Sequence, residues 1–315
     1  MKVAVIGTGG WGYQHARVFD QNPKVDLCAI VGRNAERAKA RAKLFHTKAY
    51  TDINAMLETE KPDLVSICLP NQGHFEPTMK IIQAGFPLIV EKPLVFELEE
   101  GKSLLEAAGD RFFAICFNHR WAKPVQMGKE AIETGKVGDI VFASWRFGGE
   151  GSSDHPFANL IETQCHGFDM LEHLCGPIEA LSAEMTKHPS TMAISLKFRS
   201  GAVGSLLGSY DTSYAYPETQ RIEVSGTKGR FVIDDTVARY RFNEAGNEVG
   251  EIWEAGYFND YDREFHRTFD SYMSAVVDAF IAKEEPPVHA RAGMRALQLA
   301  HAAIRSFETG TRVIV

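Results

Sequence analysis

The sequence predicts an α/β chain in two parts: a doubly wound parallel sheet, then a domain built on a large, open-faced, mostly antiparallel sheet. Two patterns carry this. Up to about residue 119, short apolar runs (KVAVIG, VDLCAIVG, DLVSICLP, PLIVEKP, FFAICFN) alternate with helical stretches, notably 35–44, 53–58 and 75–84. Strand–helix alternation of this kind builds a parallel sheet covered on both faces. After a helical stretch near 124–134 the runs DIVFASWRF, IEALSAEMT, TMAISLKF, AVGSLLGSY, QRIEVSG, GRFVID, VARYRF and VGEIWE follow one another with turn residues between many of them. That succession reads as antiparallel pairing. A late helix over 290–308 carries Met294, Leu297, Leu299, Ile304 and Phe307 among alanines, a packed face. The expected domains are 1–119 and 120–315; at 315 residues and 44% hydrophobic content the chain can fill two cores.

The first strand, Lys2-Val3-Ala4-Val5-Ile6, runs directly into Gly7-Thr8-Gly9-Gly10-Trp11-Gly12, and 13–21 continues as a helix with Ala16, Val18 and Phe19 as apolar positions. In a strand, G-x-G-x-x-G turn and helix, Gly7 makes the turn, Gly9 admits the backbone close to a pyrophosphate and Gly12 lets helix and strand pack. The helix N-terminus then faces the anion. Gly7, Gly9, Gly10, Trp11 and Gly12 are the expected phosphate loop, the alternative being a βα turn that merely favours glycine.

Composition narrows the class. A formal charge of −7 argues against a general nucleic-acid role. Five cysteines, mostly inside apolar runs, suit reduced buried thiols and a cytoplasmic location. No run approaches a membrane span, and MKVAVIG enters a strand without a signal-like segment.

The stretch SICLPNQGHFEPTMKIIQAGFPLIVEKPL, with Glu91-Lys92-Pro93, resembles the signature region of the glucose-fructose oxidoreductase and inositol dehydrogenase (Gfo/Idh/MocA) family. FNHRWAKPVQMGKEAIETGKVGDI, HGFDMLEHLCGP, VSGTKGRFVID and ALQLAHAAIRSFETGTRVIV extend the likeness over nearly the whole chain in family order. The resemblance implies an N-terminal Rossmann domain, a C-terminal substrate-binding and oligomerisation domain, and a nicotinamide-dependent oxidoreductase of a sugar, inositol or related polyol. Two rival functions fit the same scaffold: a glycoside hydrolase using transient oxidation by bound NAD, and a non-catalytic sugar or dinucleotide sensor. Net cofactor turnover separates the three.

Hydride transfer from a carbinol needs a group that takes the hydroxyl proton and a cation that polarises the oxygen. Lys92 follows a strand, and Pro93 biases it toward extended backbone, so its ammonium can project from the carboxyl edge of the sheet. The family's Asp-x-x-x-His-x-x-Asp appears here as Glu162-Thr-Gln-Cys-His166-Gly-Phe-Asp169. The resemblance makes His166 the proton donor or acceptor and Asp169 a substrate-hydroxyl or orienting contact. Glu162 departs from the first aspartate by one methylene, and its role stays open among orienting His166, binding a hydroxyl, or neither. Glu162, His166, Asp169 and His173 form one stripe if the segment is helical throughout, but 11 residues span roughly 16 Å of axis, too far for one metal ion. No metal is assigned, and His173, three residues before Gly176, reads as a last-turn residue facing the helix C-terminus. Weaker candidates are Asn71 and His74 beside the cofactor, and Arg120 and His155 beside the substrate, while Glu91 matches a cofactor-side glutamate.

Two further expectations concern cofactor and assembly. The end of VDLCAIVGRN holds Gly32 then Arg33 where an NAD site carries an acid, so NADP is favoured over NAD, with Arg37 assisting. Alternation in TMAISLKF and AVGSLLGSY leaves an apolar sheet face to cover, which predicts a homodimer or homotetramer.

Overall fold

The computed structural model describes residues 1–188 and 190–315. The chain divides into two compact units, Met1–Phe117 with Phe269–Met294, and Asn118–Thr268 with Arg295–Val315. A single cut after residue 119 does not capture the return of 269–294 to the first unit.

The first unit alternates strands and helices: β1 (Lys2–Ile6), α1 (Gly10–Gln21), β2 (Asp26–Val31), α2 (Ala35–Leu44), β3 (Lys48–Tyr50), α3 (Ile53–Glu60), β4 (Leu64–Ile67), α4 (Phe75–Gln83), β5 (Leu88–Val90), α5 (Leu98–Ala108) and β6 (Phe113–Ile115). Among the described residues these strands form one parallel sheet in the order β3-β2-β1-β4-β5-β6. That is the dinucleotide-binding order, and its direction reverses between β1 and β4, where such sheets bind ligands outside the strand carboxyl ends. Val3, Ala4, Val5, Leu64, Val65, Ile67, Leu88, Ile89 and Val90 are all fully buried, as strands covered on both faces require. β3 is a strand the sequence hides: two exposed residues and the half-buried Tyr50 carry no apolar run.

The second unit begins with α6 (Lys123–Glu133) and β7 (Ile140–Gly148), followed by α7 (Cys165–Cys175), β8 (Ile178–Met185), β9 (Thr191–Phe198), β10 (Val203–Ser209), β11 (Gln220–Gly226), β12 (Gly229–Asp234), β13 (Arg239–Glu244), β14 (Gly250–Glu254), a short α8 (Asp260–Arg263) and, at the chain's end, β15 (Val313–Ile314). Among the described residues its sheet runs β14-β13-β12-β11-β7-β10-β9-β8-β15, antiparallel except for the β7–β10 pair. α7 packs against β7 through the fully buried Trp145, whose indole N–H donates to Gln164 Oε1 at 2.9 Å. A Cβ on Gly167 would lie 2.6 Å from Trp145 Nε1, so glycine there is what lets the helix approach the ring. The opposite sheet face carries Ser182, Ser195, Ser205 and Ser144 as neighbours across β8, β9, β10 and β7. Beside that small-residue row Val203, Leu207 and Phe142 are 51%, 45% and 42% exposed.

Two helices complete the chain, α9 (Arg267–Ala282) and α10 (Ala290–Thr309). Within the first unit α9 buries Phe269, Tyr272, Met273, Val276 and Val277. Tyr272 donates to Ile115 O, Asp270 pairs with Arg17, and Phe280 meets Phe112 edge-on at 5.2 Å. Within the second unit Arg295 of α10 pairs with Glu172 of α7 at 3.0 Å. Among the described residues no helix is long and apolar enough to cross a membrane.

Candidate functional site

In the first unit the expected residues gather at the carboxyl edge of the sheet. Gly7 leaves β1 with φ +138°, and a Cβ there would lie 2.1 Å from Cys68 O, so only glycine passes the end of β4. A Cβ on Gly12 would sit 2.4 Å from Gly7 O, which brings the first turn of α1 against the strand end. Gly9 and Gly10 differ: a Cβ on either would meet nothing within 4 Å. No protein atom demands glycine at those two places, whereas a pyrophosphate lying on the backbone does. Gly9, lacking a side chain, caps α1 without a side-chain hydrogen bond, so the cap itself does not stand between the helix N-terminus and an anion. The loop therefore fits a dinucleotide. Trp11, 42% exposed, is stacked on Phe269 at 5.5 Å.

After β2, Gly32 is buried and a Cβ there would lie 2.5 Å from Thr8 Cγ2, so crowding by Thr8 gives this glycine a reason of its own. Arg33 and Arg37 are exposed, and Asn34 caps α2 by accepting from Arg37 N at 2.9 Å. A third arginine, absent from the sequence reading, joins them: Arg41 lies 4.8 Å over the Tyr13 ring and donates to Thr8 O at 3.3 Å. Its spacing of four from Arg37 on α2 is the signal that could have found it.

Of the three residues Asn71, His74 and Glu91 expected beside the cofactor, the last two have their side-chain atoms on protein partners. His74 is 1% exposed, with Nδ1 2.7 Å from Pro93 O and Nε2 3.0 Å from Leu69 O. Its imidazole thus braces the loop after β4 against the loop after β5, and both ring nitrogens are engaged. Asn71 opens the short turn Asn71–Gly73 just before it, half-buried. Glu91 does not face outward either: at 3% exposure, Oε1 meets His15 Nε2 at 2.8 Å and Oε2 accepts the Lys92 backbone N–H at 3.1 Å. A carboxylate at the end of a doubly covered strand finds its partners inside. The half-buried Lys92 follows, its peptide bond to Pro93 cis.

His15 is the residue sequence reasoning passed over, although a histidine beside the apolar positions Ala16 and Phe19 of α1 demands a buried partner. It is fully buried, and Nδ1 lies 2.7 Å from Ser66 Oγ. Burial opposes its charge, but the Cys68 sulfur and the Glu91 carboxylate outweigh that and push it up to about 10. Burial alone would raise Glu91; the hydrogen bond and charge of His15, with Lys92, hold it below the usual carboxylate range. The two are an ion pair at neutral pH. Cys116, raised well above the usual thiol value by burial and by Glu91, completes a cluster whose ligand atoms lie within 4.8 Å of one another. Its composition could hold a metal, but His15 and Glu91 bond each other directly.

In the second unit the 162–173 segment is not one helix. Asn159–Thr163 is a π-helical turn and α7 starts at Cys165, so the half-buried Glu162 stands outside the helix that carries His166 and Asp169. His166 is 6% and Asp169 5% exposed. Asp169 and Arg120, both expected to meet substrate, hold each other in a two-pronged pair, Nε to Oδ2 at 2.9 Å and Nη2 to Oδ1 at 2.5 Å. Burial raises the Asp169 carboxyl while Arg120 works against the rise. His173 stands in the last turn of α7, as expected, and burial, with Arg120 and Lys129 nearby, drives it down to about 3. Lys129 Nζ donates to the His173 carbonyl at 3.0 Å. His155, half-buried, accepts the Phe157 N–H on Nδ1 at 3.2 Å.

A doubly wound sheet with a glycine loop at its switch point and a lysine at its carboxyl edge defines a dinucleotide-dependent oxidoreductase. The chain belongs to the Gfo/Idh/MocA family: the profile of the oxidoreductase family's NAD-binding Rossmann fold matches residues 1–113, and that of its C-terminal alpha/beta domain matches 129–315. A myo-inositol 2-dehydrogenase of Thermotoga maritima is 26% identical, the match covering 98% of this chain and 96% of that one. Among solved structures, an NAD binding oxidoreductase from Klebsiella pneumoniae superposes with TM-score 0.89 at 18% identity over 100% of this chain and 99% of its own. Levoglucosan dehydrogenase in complex with NADH gives 0.89 at 20% identity, with the same coverage of each chain. These two structures share the fold.

The His15–Glu91 pair makes a pH-dependent contribution with a definite sign. A raised His15 stabilises fully below its unfolded value of 6.5 and loses that contribution as pH climbs toward about 10. The lowered Glu91 contributes above its ordinary 4.5 and loses that contribution on acidification. Replacing His15 with leucine strands a buried carboxylate and is expected to cost about 3–5 kcal/mol near pH 6, with Glu91→Gln added to it restoring part of the loss. Urea unfolding at pH 6 and pH 10 tests this; a loss equal at both pH values contradicts the ion pair.

Proposed function

We propose that this protein moves a hydride between nicotinamide and a carbinol carbon of a sugar, inositol or related polyol. The observation that carries the reading is Lys92, placed at the carboxyl edge of the parallel sheet with its backbone N–H anchored on buried Glu91. When bound, the dinucleotide supplies or accepts the hydride. Lys92 polarises the substrate oxygen, and His166 takes the hydroxyl proton in oxidation and returns it in reduction. Asp169 and Arg120 act as a fixed pair beside His166, one turn along α7, rather than as separate substrate contacts. Glu162 and His155 remain proposed polar contacts of the second unit. The substrate class takes support from the names of the similar proteins, a myo-inositol 2-dehydrogenase and a levoglucosan dehydrogenase. A reducing, cytoplasmic setting agrees with five free and buried thiols.

NADP is the proposed preferred cofactor. Gly32 removes the carboxylate that would repel a 2′-phosphate, and exposed Arg33, with Arg37 behind it, offers planar donors to hold one. The proposed partner of the open sheet face is a second copy of this chain. The flat serine row and the exposed Val203, Leu207 and Phe142 suit close sheet-on-sheet packing, and Glu184 with Lys197 on β8 and β9 offers charges of both signs for a two-fold contact.

Incubation with polyols, aldoses and keto-sugars and either cofactor, read by absorbance of the reduced nicotinamide, is expected to show net turnover; a released leaving group without net turnover points to the hydrolase, and binding alone to the sensor. Lys92→Ala and His166→Ala are each expected to lower turnover by about 100-fold or more while dinucleotide binding falls much less, and wild-type turnover in either removes its assignment. Arg33→Ala should weaken NADP(H) by roughly 1.5–3 kcal/mol and barely alter NAD(H); an equal effect on both contradicts the role of Arg33. Light scattering at working concentration should report a dimer or tetramer, and a monomer ends the sheet-face proposal.

A further inference from the structure

His166 does not stand alone in its unit. The imidazole of His119, in the turn Asn118–Trp121, lies flat against it, with ring centroids 4.0 Å apart and planes 17° from parallel. We infer that His119 is a positioning residue, a flat ring locked in place whose stacking fixes the plane in which His166 exchanges its proton. The inference rests on the reading of His166 given above.

Three contacts lock the His119 ring. Phe265 meets it edge-on at 5.2 Å and 80°, and Trp145 lies 6.4 Å away, tilted by 39°. On its rim, Nδ1 lies 3.5 Å from Thr236 Oγ1. His119 is 4% and Thr236 3% exposed, so solvent does not loosen the arrangement.

Thr236 is held with unusual force. Asp235 and Thr236 take successive positive φ angles of 48° and 59°, a region that a β-branched residue enters only when its surroundings compel it. Gln220 Oε1 accepts both the Thr236 backbone N–H at 2.6 Å and its hydroxyl at 3.0 Å. The Asp235 carboxylate accepts the backbone N–H groups of Gln220 and Glu218 at 3.1 and 3.2 Å. The turn between β12 and β13 is thereby tied to the start of β11. With its proton given to Gln220, the Thr236 oxygen can only accept, so the His119 edge it faces is Nδ1–H.

A histidine that both takes and returns a proton must aim the same nitrogen at the same point in both states, and a rigid neighbour restricts the rotation that would spoil this aim. A face-on ring restricts His166 through its flat surface alone. Stacking requires a flat ring and no titratable nitrogen, which separates this role from proton relay.

The test compares His119→Ala, His119→Leu and His119→Phe in the intact chain. With the sugar or polyol identified by the screen, Ala and Leu should lower kcat by about 10- to 100-fold with KM little changed, while Phe restores kcat to within about three-fold of wild type. The Cε1–H resonance of isotope-labelled His166, followed without substrate, should be single and sharp in the wild type and the Phe variant. In the Ala and Leu variants it should shift and broaden as the ring is freed; Leu fills the space if Ala does not fold. A Phe variant as impaired as Ala, wild-type kcat in both Ala and Leu, or an unchanged His166 resonance overturns the proposal. If His166→Ala keeps its turnover, the proton role falls instead, and the resonance still decides whether His119 holds that ring.

Discussion

His15 and Glu91 are two charges 2.8 Å apart in the interior of the first unit, one fully buried and the other 3% exposed. Neither tolerates that place alone. Their pairing ties α1, which begins in the glycine loop, to the end of β5, where Lys92 begins. Because Glu91 accepts the Lys92 N–H with its second oxygen, the position of the lysine backbone depends on the histidine three residues past Gly12. His74 adds a second tie between the loops after β4 and β5 through Pro93 and Leu69. A buried pair of this kind is weak evidence for net stability, since desolvation consumes much of the attraction. It is a strong constraint on geometry, because breaking it leaves a bare charge inside.

The second unit uses a similar arrangement next to His166. Arg120 and Asp169 form a two-pronged pair with the carboxylate side chain only 2% exposed, so the orientation of α7 relative to the turn Asn118–Trp121 is fixed by charge-assisted hydrogen bonds. The same turn carries His119. Gly167 allows α7 to lie against Trp145, and Gln164 ties that indole to Phe147 O and Asn159. Polar groups buried in this number are stable only as a satisfied network. A π-helical turn precedes α7, and Glu162 stands in that turn rather than in the helix that carries His166 and Asp169.

The open face of the second sheet poses the reverse situation: apolar side chains without an internal cover. β9 alternates throughout, and across β7, β9 and β10 Trp145, Ile194 and Leu206 are buried while Phe142, Ala193 and Leu207 are exposed. A one-residue slip of register would exchange these sets, so the buried Trp145 layer fixes the chemistry of the outer face as well.

The sequence by itself determined what depends on periodicity and on local backbone demands. Fully apolar runs separated by helices gave the parallel sheet, alternating runs gave the mixed sheet, and Gly7 and Gly12 announced a strand–turn–helix that no other residue could make. α9 was not read from the sequence, and the spacing of Phe269, Tyr272, Met273, Val276 and Val277 says only that one helix face is buried. Which unit the face covers depends on chain segments more than a hundred residues apart, and only the tertiary structure decided it. The same holds for the charged residues. Glu91, Asp169, Arg120 and His74 were expected beside the cofactor or the substrate, yet sequence carries no record of where a side chain finds its partner. Folding turned Glu91 inward to His15, closed Asp169 on Arg120 and set His119 against His166, because a buried charge or ring must be satisfied by whatever the packed chain brings within about 3–4 Å of it.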